Sequence, residues 1–140
     1  GATHPQNGMS FGDLGETDLM EIGAGQHGEG GGVRVPMMSS KDTVATVAEA
    51  LSKKLELKAG DKAFVMINGC GATTMMEMLV LFKDTVEFLK AKGIEVVASM
   101  VGEILTVQEA AGFQMNIAKW DEEMLRLSNT PCHTPAFSKE

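Results

Sequence analysis

The sequence predicts an α+β domain, a two-layer sandwich in which a mixed sheet of about four or more strands carries its helices mainly on one face. Three observations lead there. Short apolar runs alternate with segments of helical spacing between Leu19 and Val101. Two of those segments repeat apolar residues every three or four positions, the mark of a helix with one buried face. The last two strand-like segments, Ile94–Val101 and the stretch from Phe113, follow each other with no helix between them. That order disfavours a doubly wound parallel fold, while the step from Ala63 through a helix to Val101 suits a right-handed βαβ unit.

Taken in order, Gly1–Gly12 is polar, holds Pro5 and shows no period, so residues 1–12 read as an arm or linker. Leu19–Gln26 reads as a short strand running into a glycine cluster at Gly28, Gly30, Gly31 and Gly32. Ser39 and Ser40 are N-cap candidates for a helix over Lys41–Leu57, whose apolar face is Val44, Val47, Ala48, Leu51 and Leu55. Lys58-Ala59-Gly60-Asp61 is a turn, and Ala63–Asn68 is a buried strand. Thr73 or Thr74 caps a second helix with an apolar face of Met75, Leu79, Phe82, Val86 and Leu89, closed by basic residues and Gly93. Phe113, Met115 and Ile117 alternate with Gln114, Asn116 and Ala118, as in a half-buried strand. Asp121 caps a short helix to Leu127, and Asn129–Glu140 is a tail with Pro131 and Pro135.

The 140 residues indicate one domain, and 44% apolar against 22% charged residues is the composition of a folded one. Twelve basic and nineteen acidic residues leave a net charge of −7 with no basic run. Nucleic acid and anionic membrane surfaces are therefore excluded as partners. No apolar run is long enough to span a bilayer, and no signal-peptide pattern opens the chain. Cys70 and Cys132 are too few for a disulfide framework or a zinc cage. They read as free, buried small apolar residues in a reducing, cytoplasmic setting. His4, His27 and His133 have no metal-ligand spacing, so no metal site is expected.

Two places hold residues suited to chemistry. Asn68-Gly69-Cys70-Gly71-Ala72-Thr73 is a glycine-bearing loop between strand and helix. Such a loop can cradle a phosphate on the helix N-terminus. It matches neither nucleotide fingerprint, and taken alone it is more often a tight turn packing helix on strand. His27 stands among glycines, with Glu29 two residues on. Glycine lets the backbone adopt positive φ and lets another group approach closely. A neutral imidazole there is a competent nucleophile or base, its unperturbed pKa being about 6.5. Taken alone, it reads first as a solvated loop histidine in a flexible linker. The acidic residues Asp13, Glu16, Asp18 and Glu21 form no clear catalytic pair, and Asp121-Glu122-Glu123 is a helix-start cluster.

Three segments resemble one known family. Glu21–Gly31, with Gly23, Gly25, His27, Gly28 and Glu29, is similar to the G-x-G-I-H-G-E-P-G signature of the substrate-binding subunit of dihydroxyacetone (glycerone) kinase. Val65–Met78, with Asn68, Gly69, Gly71 and Thr73, resembles its M-V-N-G-L-G-A-T-P-x-x-E-L segment. Thr130–Ala136 resembles its closing A-P-V-H-T-P-A. The segments fall in the family's order, and the resemblance runs from about Ser10 to Ala136. Gln26, Gly30, Cys70 and Thr74 depart from it, standing where the family has Ile, Pro, Leu and Pro.

The resemblance implies that His27 joins the carbonyl carbon of dihydroxyacetone as a covalent hemiaminal, and that the terminal hydroxyl of the held ketose is then phosphorylated. Glycerol, lacking an electrophilic carbon, is refused. Gly25, Gly28 and Glu29 would support the histidine, with Asn68, Gly69, Gly71 and Thr73 as a second motif. No cofactor is implied for this domain. ATP, or ADP-Mg on a partner subunit recharged from a phosphoenolpyruvate chain, supplies the phosphoryl group. The family also implies that residues 13–140 are a C-terminal domain, that an N-terminal domain of the same protein and a nucleotide-binding subunit or domain are partners, and that the subunit is a homodimer. Two alternatives stay open: a non-catalytic dihydroxyacetone-binding co-activator or sensor, and a small-molecule- or lipid-binding sandwich of related fold.

Overall fold

The structure, a computed structural model, describes residues 2–3, 10–11, 18–25, 32–105 and 110–140. Strands β1 (Ala2–Thr3) and β2 (Ser10–Phe11) pair antiparallel, so the segment read as an irregular arm contains a short ribbon. Two-residue strands leave no period in a sequence, which is why it was not foreseen. Strands β3 (Leu19–Ile22) and β4 (Val33–Pro36) pair antiparallel from Leu19↔Pro36 to Ile22↔Val33. The strand expected over Leu19–Gln26 therefore ends earlier, at Gly23, whose φ of 86° turns the chain out of the ladder. Its partner β4 was not foreseen, because four residues ending in proline carry little alternation.

Helix α1 (Ser40–Lys54) begins at Ser39, whose hydroxyl accepts from the Asp42 amide at 3.1 Å. It ends three residues before the expected Leu57. The Leu57 amide donates to the Ser52 carbonyl at 3.0 Å and the Glu56 amide to Lys53 at 3.2 Å. This is a Schellman closure with Glu56 at φ 52°, the position where glycine is favoured. Strand β5 (Lys62–Gly69) alternates cleanly, with Ala63, Val65 and Ile67 buried. Helix α2 (Met75–Ala91) is closed by a second Schellman turn, this time on Gly93 at φ 75°, with Ile94 bonding back to Leu89 at 3.0 Å.

Strands β6 (Glu95–Gly102) and β7 (Phe113–Trp120) flank β5, β6 parallel and β7 antiparallel, in the order β6-β5-β7. The α+β class and the mixed sheet are as expected, and the strands are divided between this sheet and separate two-stranded ribbons. Helix α3 (Glu122–Ser128) starts on Asp121, which accepts from the Met124 amide at 2.8 Å. The segment read as a tail forms a hairpin of β8 (Cys132–His133) and β9 (Ser138–Lys139). Lys139 ties it to the end of α3 through the Ser128 carbonyl at 2.8 Å.

The core lies between α1, α2 and one face of the sheet: Val44, Ala48, Val65, Ile67, Met78, Leu81, Leu89, Ile94 and Ile117. One expectation fails in part here. Of the expected apolar face of α2, Leu89 is fully buried and Phe82 packs against the core, but Met75 and Leu79 are exposed, and Met78, Leu81 and Thr85 are buried beside Leu89. Both stripes have helical spacing, and only the tertiary position of the sheet chooses between them. Cys132 is exposed on its hairpin and Cys70 is half-buried, so neither is the buried core residue expected, though both are free thiols. Among the described residues no helix is long and apolar enough to cross a membrane.

Three outcomes follow from this packing. Ile67→Ala removes a fully buried branched side chain from the central strand and should cost about 2–5 kcal/mol in denaturant unfolding, whereas the exposed Met76→Ala should be near neutral. Glu56→Gly should raise the melting temperature, because the left-handed position costs an L-residue about 1–2 kcal/mol, less some added freedom of the unfolded chain. Asp84 is held below the usual carboxylate range, first by the Ser40 hydroxyl at 2.7 Å and next by Lys83. Folding thus favours its charged form; that stability is complete above the unfolded value and is lost as pH falls through the lower folded one. Asp84→Asn should flatten the acid limb of a stability–pH curve below about pH 4, and an unchanged limb would refute the assignment.

Candidate functional site

The β3–β4 ribbon presents the first motif. Its strands are joined by residues 23–32, of which Gly23, Ala24, Gly25 and Gly32 are described. His27, Gly28 and Glu29 lie outside the described residues, as do Gln26, Gly30 and Gly31. The ribbon itself is anchored. The Met37 amide donates to the Asp18 carbonyl at 2.8 Å, and the Thr43 hydroxyl on α1 points at the Met20 sulfur at 3.9 Å. At the loop's exit the Glu21 side chain fills the space that a Cβ on Gly32 would need. A side chain at position 32 would need the Glu21 side chain to swing aside.

The second motif is described in full and sits at the carboxyl end of β5. Asn68 is 1% exposed, on the sheet face opposite the helices. Its Oδ1 accepts from the Ile104 and Leu105 amides at 2.7 and 2.9 Å. Its Nδ2 donates to the Leu105 carbonyl at 2.5 Å and to Gln114 Oε1 at 3.0 Å. One side chain thus joins three segments: the end of β5, the loop after β6 and the start of β7. A Cβ on Gly69 would meet the Glu103 carboxylate and the Met78 sulfur, so those side chains would have to move to admit one.

The loop then zips onto residues 110–112. Cys70 N–H donates to the Gly112 carbonyl at 3.1 Å, Ala110 N–H to Cys70 at 3.0 Å, and Ala72 N–H to Ala110 at 3.2 Å. Thr73 Oγ1 donates to the Gly112 carbonyl at 2.6 Å. Gly71 makes the parallel bridge to Ala110 possible with φ 102°. Two amides of a would-be phosphate cradle are taken by this zipper. The N-terminus of α2 holds a carboxylate of its own: Thr74 N–H and Oγ1 donate to Glu77 Oε2 at 2.8 and 2.7 Å. Those bonds, the backbone one foremost, hold Glu77 below the usual carboxylate range. An anion arriving there would meet a fixed negative charge. Thr74 stands where the resembled pattern has proline; its φ of −69° is a proline value, and it builds a capping box in exchange.

Cys70 is a half-buried free thiol beside Glu103. Burial, and secondarily the Glu103 charge, push its thiol up and disfavour the thiolate. Gln114, Glu103 and the backbone of 104–105 and 110–112 belong to the constellation, and the sequence did not single them out. Gln114 was visible as the polar member of an alternating strand, but its register opposite Asn68 was not. The described hydrogen bonds of Asn68, Cys70, Ala72 and Thr73 run to residues 104–114, not to the ribbon that carries the first motif. Asn68→Ala should strand several polar groups at once. At about 1–3 kcal/mol for each one left buried, the variant should unfold at clearly lower denaturant, and it should lose amide-exchange protection at Leu105 first.

Known proteins match this fold and these motifs together. The model of the Dak1 domain matches residues 1–136. The dihydroxyacetone-binding subunit of PTS-dependent dihydroxyacetone kinase 1 from Listeria innocua is 39% identical over 136 residues, 96% of this chain and 41% of that protein. An L-erythrulose kinase from Pectobacterium atrosepticum is 29% identical over 99% of this chain and 23% of its own length. A solved structure described as regulation of the dha operon of Lactococcus lactis superposes with a TM-score of 0.76 at 27% identity, over 89% of this chain and 39% of that one. The chain therefore spans well under half the length of these relatives. With a family model covering nearly its whole length, the chain belongs to the Dak1 domain family.

Proposed function

We propose that this chain is the ketose-holding domain of a dihydroxyacetone kinase substrate-binding subunit, and that His27 captures dihydroxyacetone as a hemiaminal. The observation that carries the reading is the Dak1 match together with the histidine-bearing motif, on a loop joining the anchored β3–β4 ribbon. In the capture step a ring nitrogen of neutral His27 gives its lone pair to the ketone carbon. The C=O π pair moves to oxygen, and that oxygen takes up the proton which the other ring nitrogen releases. Only a carbonyl compound can react in this way, so the step itself selects a ketose over a polyol. Gly25, Gly28 and Glu29 shape the loop, and Asn68, Gly69, Gly71 and Thr73 organise the second motif.

The terminal hydroxyl of the held ketose is the phosphoryl acceptor. The donor, ATP or ADP-Mg on a nucleotide-binding partner, lies on another subunit or domain. Residues 13–140 are read as the C-terminal domain of a longer cytoplasmic subunit, homodimeric when intact. The relationship to an erythrulose kinase extends the substrate class to ketoses with a terminal hydroxymethyl group. A second reading, a co-activator that captures the ketose without turnover, is favoured by one observation: the 27%-identical solved structure is described as concerned with operon regulation.

The test uses dihydroxyacetone labelled with carbon-13 at its ketone carbon. In the longer protein the label should move from the carbonyl to the tetrahedral carbon region of the NMR spectrum. His27→Ala should abolish that signal and leave the melting temperature unchanged. Capture that survives in His27→Ala would sink the assignment. Adding a nucleotide-loaded donor subunit separates the readings: dihydroxyacetone phosphate forms with the kinase, and labelled adduct persists unconverted with the co-activator.

A further inference from the structure

We draw no further inference here: the strongest candidate, the side-chain cluster at the root of the β3–β4 ribbon where Glu21 lies 4.0 Å from Arg34 and against Gly32, carries nothing, because any effect on His27 would run through loop residues 26–31, which lie outside the described residues.

Discussion

Strand β5 is bonded on both sides, and the rest of the domain hangs on what its alternate residues do. Ala63, Val65 and Ile67 face the helices and make the centre of the core. Phe64, Met66 and Asn68 face the other way. Along that second face the strand begins with Phe64 stacked on Trp120 at 5.0 Å and ends with an amide that no solvent reaches. A buried amide is costly unless all its bonds are made, and Asn68 makes four. Satisfying that one group ties the chain after β6 and the start of β7 to the end of β5. The glycine loop, the entry to α2 and the 110–112 zipper continue from that same end of β5.

The parts of the fold that were legible in the sequence are those set by local chemistry. Ser39, Thr74 and Asp121 cap their helices because short oxygen-bearing side chains can reach amides two or three residues on, and that pattern lies within one turn of sequence. Gly93 ends α2 for an equally local reason. What failed was decided at a distance. The expected face of α2 is right at its end, where Leu89 and Phe82 meet the core, and wrong at its start, because whether Met75 and Leu79 or Met78 and Leu81 meet the sheet depends on a placement that no single helix encodes. The end of α1 was misplaced because Glu56 does there what glycine ordinarily does, so the usual signal was missing. The small ribbons are too short to show a period.

The candidate site divides along the same line. The motif around His27 was legible because its glycines and histidine are neighbours in sequence, and the Dak1 match then covers nearly the whole chain. The surroundings of Asn68 were not legible. Gln114 is 46 residues away, and its identity as a polar residue on a strand edge is the commonest kind. Departures from the resembled pattern make more sense in three dimensions than in one. Thr74 in place of proline keeps the same φ and adds a reciprocal cap with Glu77, so the helix start is held by bonds where a proline would hold it by its ring.

That helix start bears on how labour is divided in such a protein. A helix N-terminus following a glycine loop at the carboxyl end of a parallel strand is the place where many α/β folds hold phosphate. Here the same place is filled from within: Glu77 supplies the negative charge, and residues 110–112 take the loop amides at Cys70 and Ala72. The loop and the helix are thereby made rigid, and the attraction for a second anion is opposed by the first. On the proposed reading, a domain arranged in this way presents a neutral sugar to chemistry brought from outside. The capture proposed for His27 would suit such a domain, because a covalent bond to a small neutral ketose gives a hold that the few hydroxyl contacts of a three-carbon molecule would not supply.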